Sequence, residues 1–274
     1  MTDGPAPTLR ARSGSRFLGS GPGAPVLPSL PALQTAGFDA DVLAVGARAW
    51  TLRAEEEYRS AAIFAELTAA LAGTGLPLDL TGAAAATVVD ELGHAALCID
   101  LAARLGAPLP TVNAEPVAAR VASHPTPRRR ALALALVEGA IGETISSALF
   151  NAGRHATQEP CSRAALAHIA RDEAHHARRF WELMRAVPLD DADRAHLQAE
   201  AQHAFGHLER GLLPALRRLE AGESFNPALG ALGVLAPERR VETFYGAVER
   251  AVRPRLDALG LDGDGAWARR YAAL

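Results

Sequence analysis

Two stretches of the chain carry one pattern. Asp90-Glu91-Leu92-Gly93-His94 and Asp172-Glu173-Ala174-His175-His176 both read D-E-x-x-H. Residues three apart on a helix share a face, one turn apart, so Glu91 and His94 can bind the same metal ion, and so can Glu173 and His176. Each copy follows a second glutamate: Glu57 lies 34 residues before Glu91, and Glu143 lies 30 before Glu173. The neighbourhoods of those glutamates match as well. Glu57, Ser60, Ala62 and Phe64 recur at the spacing of Glu143, Ser146, Ala148 and Phe150. Carboxylates can bridge two ions, and imidazole nitrogen is a terminal ligand. Four carboxylates and two imidazoles, on four helices in two matching halves, form the ligand set of a dinuclear metal site in a four-helix bundle. A mixed nitrogen and oxygen shell with open positions suits iron or manganese better than a closed zinc site, where thiolates are common.

Shorter matches also occur. Glu200 and His203 fit E-x-x-H, with His207 four residues on, and Asp193 and His196 fit D-x-x-H. They lack the paired aspartate and the upstream glutamate, so they read as chance matches on a solvated helix face. The two D-E-x-x-H copies sit instead in alanine-rich apolar stretches, where a buried charge needs a partner or a metal.

The elements that must position these residues are helical. Hydrophobic residues make up 49% of the 274, aromatic residues only 5%, and alanine dominates. That favours closely packed helices over a sheet. The first helix is predicted from Asp41 or Ala47 to Ala72, ending at Gly73, and the second from a Thr81 cap to Gly106. Residues 107–127 hold five prolines and a short helix around residues 116–122. This connection suits a long crossover better than a hairpin turn. The third helix is predicted from Pro127 to Ala156, and the fourth from Pro160 or Ser162 to before Pro188. A fifth runs from Asp190 or Asp191 to Ala221, and a last one from Pro237 to Leu259. The fold class is therefore all-α, in three parts. Residues 1–40 are an irregular N-terminal segment, 41–220 a helical bundle with the dimetal site and the fifth helix, and 221–274 a C-terminal helical extension.

A formal net charge of −3 with no block of one sign gives no case for nucleic acid or membrane binding. The apolar run from Ala131 to Phe150 contains Glu138 and Glu143, which argues against a membrane span. Cys98 and Cys161 have no metal-type spacing, a disulfide framework is not expected, and a reducing cytoplasm is the default compartment. No apolar signal core is read at the N-terminus.

With these residues in view, the chain resembles the ferritin-like superfamily of dimetal carboxylate proteins. The stretches E-x-x-S-x-A-x-F, D-E-x-x-H-A, G-E-T-I-S and R-D-E-A-H-H-A look like bacterial ferritin-like domain proteins of unassigned substrate. Gly233-Val234-Leu235-Ala236-Pro237-Glu238-Arg239-Arg240 looks similar to that group too. The resemblance covers roughly residues 45–260. It implies a ferritin-like antiparallel four-helix bundle with a long crossover between helices 2 and 3. The implied ligands are Glu57, Glu91, His94, Glu143, Glu173 and His176. Glu55 and Glu56 compete with Glu57, and the matching serine and phenylalanine positions decide for Glu57. Glu138 competes with Glu143. It lies five residues earlier, about 140° around an α-helix, so both cannot face the metals equally. Glu138 is then a carboxylate that contacts a ligand from behind, a channel residue, or a partner of one of Arg128 to Arg130. An alternative register would use Asp172 and His175, but Gly93 stands where His175 falls. His168 fits the ligand face poorly and reads as a partly buried structural histidine.

Similar dimetal proteins carry an aspartate before one ligand glutamate that reaches the ligand histidine of the other D-E-x-x-H helix. The resemblance thus implies crossed pairs, Asp172 with His94 and Asp90 with His176. A radical-forming tyrosine, found in the ribonucleotide reductase small subunit four residues after the first ligand histidine, is replaced here by Cys98. The resemblance does not select a reaction; the long C-terminal extension and the absence of cage-like features favour an O₂-dependent dimetal oxidase or monooxygenase acting on a small organic substrate. Its cofactor is Fe/Fe, or Mn/Fe, its reductant an external electron donor, and a homodimer is one arrangement the extension allows. The alternatives are an iron- or manganese-binding or ferroxidase-type protein without an organic substrate, and a bundle whose metal only stabilises the fold.

Overall fold

The computed structural model describes residues 28–111 and 126–272. The greater part of the expected crossover, with its short helix, and the first 27 residues lie outside the described residues. Those described are helical, with no β-strand.

Four long helices come first: α1 (Ala40–Ala72), α2 (Leu78–Arg104), α3 (Pro127–Ala156) and α4 (Pro160–Ala186). α1 and α2 pack along each other as a hairpin closed by residues 73–77, and α3 and α4 form a second hairpin closed by residues 157–159. The hairpins meet through α1 against α3 and α2 against α4. Local chemistry sets the ends. The Thr126 side chain accepts from the Arg129 amide, and Glu159 accepts from the Cys161 and Ser162 amides, with proline in the first turn both times. α2 begins at Leu78 behind an extended Pro77, three residues before the Thr81 cap expected from sequence. Nothing in Leu78-Asp79-Leu80 opposes a helix, so the proline alone sets the start. Its far end matches expectation. Gly106 takes φ +93°, and the Ala107 amide reaches the Ala102 carbonyl at 2.9 Å.

α5 (Asp191–Arg210), capped by Asp190, is shorter than predicted. The chain breaks at residues 211–212 and resumes as α6 (Leu213–Glu220). Pro214 is the cause: it is tolerated in a first turn but not inside one continuous helix. α7 (Pro227–Ala231) follows. α8 (Pro237–Ala247) continues through a π-turn (Val248–Val252) into α9 (Arg253–Asp257), and α10 (Gly263–Ala268) comes last. Pro254 lacks an amide hydrogen and crowds the carbonyl four residues back, which accounts for the wider turn before it.

The buried apolar residues form two clusters. One holds Phe64, Leu134, Phe180, Phe205, Phe244 and Val252, so the C-terminal helices share it with α1, α3 and α4. The other holds Trp50, Leu97, Cys98, Leu166, Ile169 and Leu232. α2 and α3 are long and apolar enough to cross a membrane, and 56% and 78% of their most apolar windows are buried against the rest of the molecule.

Candidate metal centre

Between the two apolar clusters lies a layer of buried acids and imidazoles. Glu57, Glu91, His94, Glu143, Glu173 and His176 are all at most 5% exposed. Their ligand atoms fall into two groups, Glu57–Glu91–His94–Glu173 and Glu91–Glu143–Glu173–His176, each within 4.8 Å. The groups share Glu91 and Glu173. The structure thus brings all six residues together. Glu55 is half-buried and Glu56 exposed, and neither joins them. His175 is exposed, so the Asp172–His175 register is not the one that converges.

Each imidazole has two different sides. His94 Nδ1 faces Glu173, Glu57 and Glu91 at 3.4, 3.6 and 3.7 Å. His176 Nδ1 faces Glu91 and Glu143 at 3.1 and 3.4 Å. The Nε2 sides meet aspartates on the other D-E-x-x-H helix: Asp172 at 3.4 Å from His94, and Asp90 at 3.1 Å from His176. This is the crossed arrangement. A neutral imidazole that donates from Nε2 to a carboxylate leaves a lone pair on Nδ1. Asp172 also touches His168 at 3.4 Å and Arg171 at 2.9 Å.

The donor set can be tested for fit to metal ions. Both Nδ1 atoms, Glu91 Oε1 and Glu143 Oε2 are shielded from solvent without a hydrogen-bond partner. Buried polar atoms are normally satisfied, so four orphans in one spot need a cause. Two ligand atoms about 2.1 Å from one ion, at right angles, stand about 3 Å apart without pointing hydrogens at each other. Separations of 3.1–3.7 Å lacking hydrogen-bond alignment have that character. The residues fit a pair of cations.

Electrostatics agree. Burial drives the Glu57 and Glu143 carboxyls well above the usual range, helped by neighbouring carboxylates. Burial opposes charge on His94 and His176, but the acids around them raise both well above the ordinary imidazole value. Burial would also raise Glu91, yet the two imidazoles outweigh it and hold that carboxyl below its usual range. Burial alone dominates Cys98, whose thiol is pushed far up and stays neutral.

Glu138 departs from the sequence expectation. Residues Ala135–Gly142 of α3 form a π-helical segment, and the Glu143 amide reaches back to the Glu138 carbonyl. Hydrogen bonds of that span bring residues five apart nearly into line along the axis, where an α-helix would separate them. Glu138 and Glu143 accordingly border the same cavity. The place of Glu138 on the cavity wall is consistent with one of the roles considered for it, that of a lining residue.

That cavity, about 820 Å³, opens onto Glu57, Glu91, Glu143 and Glu173. Its walls include the matched pairs Ser60 with Ser146 and Phe64 with Phe150; α6 contributes Pro214, α8 Phe244, and the loop before α8 Leu235. Sequence reading did not single out Arg53, which also borders it. The available signal was its place one turn before Glu57, on the same helix face.

The solvated-face reading of the short motifs fails for their two acids, while His207 is exposed and His196 and His203 are half-buried. Asp193 is 3% and Glu200 4% exposed. Asp193 accepts from Arg128 at 3.0 Å, and α5 buries this side against its neighbours. Neither residue joins the six. No protein-family model matches the chain, and no curated protein is significantly similar to it.

Proposed function

We propose that the chain is a ferritin-like antiparallel four-helix bundle holding two metal ions, iron with iron or manganese with iron. In this reading it acts as an O₂-dependent oxidase or monooxygenase on a small organic molecule. One observation carries the proposal: two four-residue ligand groups share Glu91 and Glu173 and open onto a cavity of about 820 Å³. Glu57, Glu91, His94 and Glu173 would hold one ion, and Glu91, Glu143, Glu173 and His176 the other. When bound, such a pair supplies reduction of O₂ at open coordination positions.

The chain's own residues do the rest. Asp172 and Asp90 orient the imidazoles through Nε2, so that Nδ1 faces inward. The acids are at most 5% exposed, and the cavity is the side from which a guest reaches them. Phe64, Phe150 and Leu149 offer apolar surface to a guest beside Glu143 and Glu57. A protein that only oxidises or stores iron needs a path for an ion. This cavity falls in the range of small-molecule sites, roughly 300–1,000 Å³, which favours an organic substrate.

The test is metal analysis of protein reconstituted without oxygen, followed by O₂-uptake and size measurements. About two ions per chain, with uptake that depends on a second organic compound and a reductant, supports the proposal. A large assembly oxidising bare Fe(II) would favour the ferroxidase alternative, and protein that takes up no metal would sink both.

A further inference from the structure

The two hairpins repeat one another, and one departure from the repeat carries information. Counting four residues back from Glu57 gives Arg53; counting four back from Glu143 gives Gly139. Four residues after His94 stands Cys98; four after His176 stands Phe180. In the second half the Phe180 ring lies directly on Gly139, so close that a Cβ there would meet the ring at 2.4 Å. The space is filled by hydrocarbon. In the first half the matching pair is Arg53 beside Cys98, a cation with a small neutral neighbour.

Arg53 is under-used by the protein. Its Nη2 donates to the Gly233 carbonyl at 2.5 Å, and its guanidinium lies 4.6 Å from the Trp50 ring centre. Its Nη1 is shielded and has no hydrogen-bond partner. No carboxylate among the described residues forms an ion pair with it. Burial lowers its pKa, and a second cation, Arg240, lowers it further against the pull of nearby acids. Arg240 is exposed and borders the same cavity. The stretch from Gly233 to Arg240 therefore supplies a carbonyl that fixes Arg53 and a second positive charge at the rim. Glutamates line the cavity as well: Glu56 and Glu57 stand close enough to act on Arg53, and Glu91, Glu143 and Glu173 border it too.

We propose that the cavity receives a small organic carboxylate with an apolar body, its carboxylate on Arg53 and its body directed toward Glu57 and Glu143. The proposal rests on the dimetal reading and names its substrate class. Arg53 borders the cavity, and because Nη1 is shielded, seating a carboxylate requires the guanidinium to turn toward it. A planar guanidinium matches a carboxylate in shape and charge, and an ion pair inside a cavity is screened less than one in water. Arg53 and Glu57 lie on one face of α1 a turn apart, so a guest held by Arg53 presents its nearer atoms to the acid and imidazole layer.

The test is binding, read by calorimetry on the full chain as purified, with metal content measured in parallel. The probes are a series from phenylacetate to 6-phenylhexanoate, each beside its neutral primary amide. At least one carboxylate is expected to bind tenfold or more tightly than its amide. Arg53→Met should abolish that preference while leaving metal content unchanged, and Arg53→Lys should restore part of it. The comparison of acid with amide needs no variant and stands even where Arg53→Met fails to fold. Equal binding of acid and amide, no binding across the series, or an Arg53→Met protein with the wild-type preference would overturn the assignment. Repeating the titration after chelation separates the two readings. A preference that disappears with the metal and ignores Arg53→Met puts the carboxylate on the ions and overturns this inference alone. An Arg53-dependent preference in a protein that takes up no metal supports this site and removes the dimetal reading.

Discussion

At the scale of single residues, sharing of Glu91 and Glu173 between the two groups makes their substitution unequal to that of the others. Glu91→Ala or Glu173→Ala should remove more than one metal equivalent per chain, and Glu57→Ala or Glu143→Ala no more than one, counted by elemental analysis. Glu200→Ala should keep the wild-type content; equal loss across all five variants would place the metal elsewhere. Asp172→Ala removes the group on His94 Nε2. It should weaken metal binding roughly 10- to 100-fold with helicity unchanged by circular dichroism. Proton linkage gives a third expectation. His94, His176, Glu57 and Glu143 all have raised pKa values in the metal-free site, so it holds more protons at a given pH than free side chains would. A metal must displace them. Its affinity should fall as pH falls from about 8 to about 6, and its binding heat should vary with the buffer's ionisation enthalpy. A pH-independent affinity would contradict that linkage. The six converging residues were legible because a duplicated motif needs only helix periodicity to be read. Asp193 and Glu200 were misjudged because a sequence shows which face of a helix is polar. It does not show whether another element, here Arg128 and the C-terminal helices, comes to cover that face.

At the scale of elements, the long helices were legible from apolar runs bounded by proline, glycine and polar caps. The π-segment of α3 was not. Its effect is a change of winding over residues Ala135–Gly142, and nothing in the residue types there demands it. The consequence was a wrong angle for Glu138 relative to Glu143. A local feature that depends on a special residue is Gly139, whose missing side chain admits the Phe180 ring; Phe180 in turn stacks on Phe64 at 5.3 Å. Gly139→Ala should therefore destabilise the fold by about 1–3 kcal/mol, the usual range for overpacking, although alanine is the better helix former. Thermal unfolding would check it. An unchanged or raised midpoint would mean the aromatic stack can shift at no penalty.

At the scale of the whole molecule, the C-terminal helices share the core of the long ones, and a polar clamp reinforces the join. Buried Glu209 on α5 accepts from Arg270 at 2.6 Å, from Tyr245 at 2.8 Å and from Tyr271. Burial would raise this carboxyl, but Arg270 and the two tyrosines hold it below its usual value. A depressed carboxyl stabilises the fold above its unfolded pKa and loses that contribution as pH falls through the folded one. Arg270→Ala should cost about 1.5–3 kcal/mol at neutral pH and progressively less in acid. Denaturant midpoints at the two pH values would show it. Nothing in the sequence signals this clamp, because the partners of Glu209 lie 36 to 62 positions away and meet it only through tertiary packing. The same consideration applies, with larger effect, to the shared glutamates. One hairpin contributes Glu57, Glu91 and His94, the other Glu143, Glu173 and His176, and each ligand group takes one carboxylate from across the seam. Neither hairpin can complete a group alone. Bound ions would then act as rivets through an internal repeat: binding only the assembled form, they stabilise it by mass action. Removing them should leave each helical pair formed and let the pairs part, which amide exchange would record as protection lost along the α1–α3 and α2–α4 contacts before it is lost within either hairpin.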